Sequence, residues 1–247
     1  MVWDLEAVRI TCLPDDAFYI SDFISEEEEQ LLLQKVSIDQ FFASNVASAP
    51  LPRWTQLAHR RLQTWPSSLT KNNTLLATPL PAWLTVPIIA PRFKELGIFN
   101  EAPHGAPNHV LVNEYRPGQG IMPHEDGPAY YPLVATVSLG APIVLDLYEK
   151  TQPESQHLRS PNFRVLQERR SLLVTRGQMY TEFRHGIAEK QADADLGAET
   201  VCNWALLGEK EAFAGGSYER QTRTSLTYRD VRKVATMGHT LKFLGGR

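Results

Sequence analysis

The sequence predicts a mainly β fold with helices toward its N-terminal end, and three observations carry that prediction. From residue 109 onward the chain is a succession of short runs rich in β-branched and aromatic residues, bounded by Gly and Pro turns such as Arg116-Pro-Gly118 and Gly140-Ala-Pro142. Ahead of residue 108 the clearest signal is instead a capped helical run, followed by a long polar stretch with no sustained period. The 247 residues are 43 % hydrophobic, 9 % aromatic and 21 % charged, the composition of a folded chain that can bury a sizeable core. A disordered or fibrous protein is thereby excluded.

The elements follow in order. Ser25-Glu-Glu-Glu28 is a capping box ahead of Leu31, Leu32, Leu33 and Val36, which predicts a helix over 26–37. Residues 43–81, rich in Ser, Thr, Asn and Pro, read as a long loop or a short-stranded lid, and a loop of that length in a compact chain is usually functional. A second helix is expected near 82–97, ending at Gly97, with Pro87 and Pro91 counting against it. The runs 109–115, 133–139, 143–148, 163–166, 171–175, 202–207 and 224–231 then predict strands, and seven of them imply an antiparallel sandwich or barrel. The expected organisation is one structural unit: N-terminal helices and a lid over 1–108, packed on a β core over 109–247.

Several function classes drop out at this stage. No apolar stretch approaches the roughly 18 residues of a membrane helix, Val86-Pro-Ile-Ile-Ala90 being typical, so no membrane partner is expected. The acidic start Met1-Val-Trp-Asp-Leu-Glu6 lacks the basic and apolar regions of a secretory signal. Cys12 and Cys202 are far apart and in no metal-ligand spacing, which suits a reducing compartment; cytoplasm and nucleus are expected. The net charge of −3 says little, but its distribution says more. Between Asp39 and Glu95 there is no carboxylate, while Arg53, Arg60, Arg61, Lys71, Arg92 and Lys94 alternate with Trp54, Trp65 and Trp83. Such a segment either touches phosphates and stacks on bases or is a solvated region with anchoring tryptophans.

The sharpest chemical candidate is His124-Glu125-Asp126, on the loop between two strand runs. An imidazole and a carboxylate two residues apart on extended backbone point the same way and can take adjacent corners of one metal; alone, the pair is equally a surface turn. A third ligand should be a later His on a facing strand. His185 in Arg184-His-Gly-Ile187 meets that condition, whereas His157 sits in a polar insertion, His239 in a Gly-bearing tail, and His104 and His109 precede the pair as isolated structural or solvated histidines. Two His and one carboxylate with open positions form the ligand set of non-haem Fe(II) oxygenases.

Near the C-terminus, alternation in Arg223-Thr-Ser-Leu-Thr-Tyr-Arg229 puts Arg223, Ser225, Thr227 and Arg229 on one strand face. Turned inward, two arginines there require an anionic partner such as a dicarboxylate; turned outward, they are solvated and Leu226 and Tyr228 face in. Asn113 and Tyr115 share another strand face shortly before His124, and both can donate hydrogen bonds to a carboxylate near the metal.

Asn-x-Tyr, Pro-Gly, His-x-Asp, a distal His and Arg-x-Ser-x-Thr-x-Arg, in that order, resemble the AlkB family of Fe(II)- and 2-oxoglutarate-dependent dioxygenases. The string from Asn108 to Pro132, with Trp54-Thr-Gln-Leu57 and Arg61-Leu-Gln-Thr-Trp65, is especially similar to its homologue 6 branch. The resemblance spans about Phe23 to Arg229; stretches 150–162 and 189–200 look like variable loops. It implies a double-stranded β-helix, or jelly roll, core with Fe(II) on His124, Asp126 and His185. It also implies 2-oxoglutarate on Asn113, Tyr115, Arg223 and Ser225, with Arg223 at the distal carboxylate and Arg229 supporting the chelating end. The implied reaction uses O2 to decarboxylate 2-oxoglutarate and hydroxylate an N-methyl carbon, which is lost as formaldehyde; no residue beyond the metal ligands is catalytic. DNA or RNA carrying methylated bases is the expected partner of a monomer. A flipped base would meet Trp54, Arg60, Arg61 and Trp65 in the lid and Tyr130 and Tyr131 after the metal pair, although core packing accounts for these aromatics equally well. An oxygenase acting on a protein or small molecule is the alternative, and a binding module without turnover is a third.

Overall fold

The computed structural model of the chain describes residues 4–14, 16–38, 54–150 and 160–235. In chain order its main elements are β1 (Ala17–Ile20), α1 (Glu26–Ile38), β2 (Thr55–Gln56), β3 (Arg61–Trp65), β4 (Thr74–Leu76), α2 (Ala82–Thr85), β5 (His109–Tyr115), β6 (Ile121–His124), β7 (Leu133–Leu139) and β8 (Ile143–Glu149). They continue with β9 (Phe163–Gln167), β10 (Leu172–Arg176), α3 (Gly177–Thr181), β11 (Phe183–Ile187), β12 (Ala192–Ala194), β13 (Ser217–Glu219), β14 (Arg223–Arg229) and β15 (Lys233–Ala235).

Helix α1 starts where its cap dictates. Glu28 N–H donates to Ser25 Oγ at 3.2 Å and Ser25 N–H donates to Glu28 Oε2 at 2.8 Å, so two otherwise orphaned donors are satisfied reciprocally. The expected helix over 82–97 is broken. Ala90 is extended (φ −124°, ψ 120°) within a helical stretch Ile88–Phe93, because the ring of Pro91 disfavours helical backbone on the residue before it. The expected strand over 202–207 is a helical turn, Trp204–Leu206. Its geometry is set by buried Asn203, whose Oδ1 accepts from Leu166 N–H at 2.9 Å and whose Nδ2 donates to Leu166 O at 2.8 Å. Of the polar stretch 43–81, residues 43–53 lie outside the described residues; the remainder holds β2, β3 and β4. His157 and His239 also lie outside the described residues.

Eleven strands form a jelly roll of two facing sheets, and β12-β13 and β4-β15 are separate pairs. The larger has the order β1-β10-β7-β14-β5-β3-β2 and the smaller β6-β11-β8-β9. From β5 to β8 the chain alternates between the sheets; the β7-to-β8 crossing turns at Gly140, whose φ of +84° favours glycine. Because β1, β2 and β3 extend the larger sheet, residue 108 marks no boundary between layers. The outer face of that sheet is covered as well. Val110, Val112, Val137, Val174, Leu226 and Tyr228 pack there against Leu32 and Val36 of α1 and against Leu84, Ile88 and Phe93. The inner face looks into the space between the sheets, and the polar residues gather there.

Candidate active site

Strands β6 and β11 run antiparallel with His124 directly opposite His185, and the ring centroids are 4.4 Å apart. The strands approach closely at Gly186, where a Cβ would lie 3.0 Å from Pro123 N and 3.1 Å from Ile121 O. His124 Nδ1 donates to Met122 O at 2.9 Å, which leaves the Nε2 lone pair available. Burial above all pushes the His185 imidazole down to about 4, against the pull of Asp126, so it offers a neutral nitrogen at physiological pH. Asp126 faces the same cavity, with Oδ1 accepting from Arg229 Nη1. The Arg229 guanidinium lies 4.4 Å over the Tyr130 ring.

Among the described residues, no three His, Cys, Asp or Glu side chains are gathered closely enough to hold a cation as they stand. Two imidazoles are adjacent and the carboxylate is turned to Arg229. A carboxylate offers about four lone-pair sites, so its bond to Arg229 does not exhaust it. Two imidazoles and a carboxylate facing one cavity fit a divalent transition metal by donor type.

The other end of the cavity is built on β14, which lies between β5 and β7. Its register sets Arg223 opposite Tyr115, Ser225 opposite Asn113 and Thr227 opposite Leu111. Arg223 is 2 % exposed, and its Nη2 donates to Ser138 Oγ at 2.8 Å and Gln167 Oε1 at 3.1 Å, while its Nε has no partner. Burial pushes this guanidinium down to about 10, which still leaves it charged at neutral pH. A buried cation held only by neutral groups, with a donor to spare, fits an anionic ligand. Burial raises the Tyr115 hydroxyl above its ordinary value, against the charges of Arg223 and Arg60, so it stays a donor.

One cavity of about 420 Å³ connects the two ends and is lined by Asn113, Tyr115, His124, Asp126, Tyr130, His185, Arg223, Ser225 and Arg229. Of the residues expected to meet a substrate, Tyr130 and Arg60 line it and four others do not. Trp65 is 4 % exposed in the outer core, its ring edge-on to Trp83 at 5.4 Å; β3 turns it away from the cavity. Arg61 grips Glu114 of β5 through Nε at 2.7 Å and Nη2 at 2.6 Å, and Trp54 lies 4.2 Å under its guanidinium. Tyr131 packs against the outer core. Arg92, also in the carboxylate-free segment, pairs with Glu28 at 3.0 Å, so distant acids answer Arg61 and Arg92 of that segment.

Other wall residues escaped the sequence. Leu69 and Asn73 come from the polar stretch, whose length was its only signal, and Met179 and Tyr180 from α3. Tyr180 donates to Gly127 O at 3.2 Å and so braces the loop that carries Asp126. Gln167 reaches Arg223 from the smaller sheet, a contact no local pattern announces.

Comparison with known proteins adds four findings. The model of the 2OG-Fe(II) oxygenase superfamily matches residues 16–229. The probable RNA/DNA demethylase ALKBH6 of Danio rerio is 40 % identical over 238 residues, covering 94 % of this chain and 93 % of that protein. The tRNA (carboxymethyluridine(34)-5-O)-methyltransferase alkbh8 of Xenopus tropicalis is 28 % identical over 227 residues, 89 % of this chain but 32 % of that protein. Among solved structures, that of OsALKBH1 superposes with a TM-score of 0.51 at 15 % identity over 88 % of this chain and 99 % of that one, a likeness of fold.

Proposed function

Since this chain belongs to the 2OG-Fe(II) oxygenase superfamily, and within it to the AlkB family, we propose that it oxidatively demethylates N-alkylated bases in DNA or RNA. It is a 2-oxoglutarate-dependent dioxygenase. The observation that carries the assignment to residues is the buried Arg223, charged and short of one hydrogen-bond acceptor, at the far end of the cavity that His124, Asp126 and His185 face.

Bound Fe(II) and 2-oxoglutarate supply the oxidising chemistry with O2: the co-substrate becomes succinate and CO2, and the N-methyl carbon leaves as formaldehyde. The chain's own residues hold and enclose these groups. His124 and His185 offer ring nitrogens and Asp126 an oxygen as iron ligands. Arg223 takes the distal carboxylate of 2-oxoglutarate, with Ser138 and Gln167 fixing the guanidinium plane. Tyr115, Asn113 and Ser225 donate along the same wall, and Arg229 orients Asp126 while its charge favours the co-substrate's other end. Leu111, Val134, Leu145, Leu147 and Leu173 surround the polar groups and exclude water. Tyr130 stands at the iron end, where it can stack on an extruded base.

A second reading, an oxygenase of protein or small-molecule substrates, draws support from the pairing of Arg61 and Arg92 with Glu114 and Glu28, which leaves less charge for phosphates. The deciding experiment follows succinate and formaldehyde formation by wild type and His124→Ala, with and without methylated single-stranded oligonucleotides. Demethylation predicts formaldehyde equal to the oligonucleotide-stimulated succinate and none from the variant. Succinate without oligonucleotide stimulation would favour the second reading.

A further inference from the structure

The turn 57–60 joins β2 to β3. Leu57 N–H donates to Arg60 O at 2.9 Å, and Gln56 Nε2 donates to the carbonyls of Leu57 and Arg60 at 2.7 and 3.2 Å. Although the turn belongs to the larger sheet, it is fastened to the smaller one at two points. Gly120 N–H, just ahead of β6, donates to His59 O at 3.2 Å. His59 Nδ1 lies 3.2 Å from Glu189 Oε1, just beyond β11. Gly120 is packed so closely that a Cβ there would lie 2.2 Å from Ile187 O. The turn therefore bridges the open side of the sandwich onto the two strands that carry His124 and His185.

Arg60, the last residue of this turn, is half-buried and directed inward. It lines the cavity, and its Nε donates to Asn113 Oδ1 at 3.3 Å. Among the described residues three guanidiniums line the cavity: Arg60, Arg223 and Arg229. Asp126 answers Arg229, while the other lining carboxylate, Glu125, is held by Lys150 at 2.8 Å and Arg184 at 3.7 Å. Among the described residues two of these guanidiniums, Arg60 and Arg223, thus have no carboxylate partner, a field that draws in a dianion. The register orders the wall: Arg223 with Tyr115 at one end, Ser225 with Asn113 in the middle, Arg229 toward the iron end. Arg60, on Asn113, stands over the middle.

We infer that Arg60 binds the 2-oxoglutarate co-substrate, as a third cation that closes the open side of its chamber, and is not a contact to nucleic acid. The inference rests on the 2-oxoglutarate reading of the cavity and is independent of which methylated substrate is used. Its physical content is kinetic as well as thermodynamic, since a cation on a fastened turn slows co-substrate escape.

The test is calorimetric titration of 2-oxoglutarate into anaerobic Fe(II)-loaded protein, with dissociation followed by stopped flow. Oligonucleotide binding is measured in parallel across a salt series. Arg60→Met should weaken 2-oxoglutarate binding by about 10- to 100-fold, the size of one charge-assisted hydrogen bond. Arg60→Lys should recover part of the loss, and Glu189→Ala, which frees the turn but keeps Arg60, should speed dissociation by about threefold, a weak exposed pair's worth. Oligonucleotide affinity and its salt slope should stay at the wild-type value in Arg60→Met. Co-substrate affinity within about twofold of wild type in a folded Arg60→Met protein, or a salt slope lowered by about one, would overturn the inference. A wild-type protein that does not bind 2-oxoglutarate would instead overturn the proposed function itself.

Discussion

His109 gives this protein a pH-dependent stability that one substitution should remove. The side chain is 1 % exposed and its ring lies 5.8 Å from that of Tyr130. Burial first, and then the charge of Arg229, push its pKa from 6.5 down to about 4, with the Ser67 backbone and Asp126 opposing. The fold therefore disfavours the protonated ring, whereas the unfolded chain takes up a proton below about pH 6.5. Stability is full above pH 6.5, falls as the pH drops through the interval between 6.5 and 4, and levels off below it. The displacement amounts to roughly 3 kcal/mol in all, of which roughly 1 kcal/mol is lost between pH 7.5 and 5.5. His185 moves in the same direction, so the wild-type slope contains both rings. Urea unfolding of wild type and His109→Phe, in chelator at pH 7.5, 6.5 and 5.5, isolates the His109 part. The variant should lose roughly 1 kcal/mol less than wild type over that range. Parallel slopes would refute the assignment of a neutral buried ring.

Three further outcomes separate packing from ligand binding. Trp65→Ala should cost about 3–5 kcal/mol in denaturant unfolding, as a core tryptophan does; a loss under about 1 kcal/mol would mean that it is not core. Arg61→Ala should cost about 1–3 kcal/mol through the unpaired Glu114 and leave oligonucleotide affinity unchanged, as fluorescence anisotropy would show. Arg223→Met should melt no lower than wild type without ligand, because it removes a buried cation that lacks a counter-ion. It should also abolish the roughly 2.7 kcal/mol that 2-oxoglutarate at a hundred times its Kd adds to the iron-loaded wild type, measurable by thermal unfolding.

Local pattern was enough for the elements whose signals are local. The strands at 109–115 and 133–139 match β5 and β7 because β-branched runs between Gly and Pro turns admit little else, and α1 begins at its capping box. The same ordered motifs placed Asn113, Tyr115, His124, Asp126, His185, Arg223, Ser225 and Arg229, which tertiary structure brings onto one cavity. Period alone left β14 undecided between two faces, since it tells which residues share a face and not what covers each. Both faces proved buried: Leu226 and Tyr228 under the N-terminal layer, Arg223, Ser225, Thr227 and Arg229 toward the cavity. The apolar run at 202–207 misled because Asn203 takes its backbone partners from Leu166. The basic segment also finds partners far along the chain. Arg61 meets Glu114 across 53 residues and Arg92 meets Glu28 across 64, so part of the charge that looks unbalanced along the chain is balanced in space. Arg60 stands next to Arg61 in sequence, yet alternation along β3 and the fastening of its turn send one guanidinium into the cavity and the other onto an acid. Spacing and residue type fix what a side chain can do; its neighbour from a distant segment fixes which of those things it does.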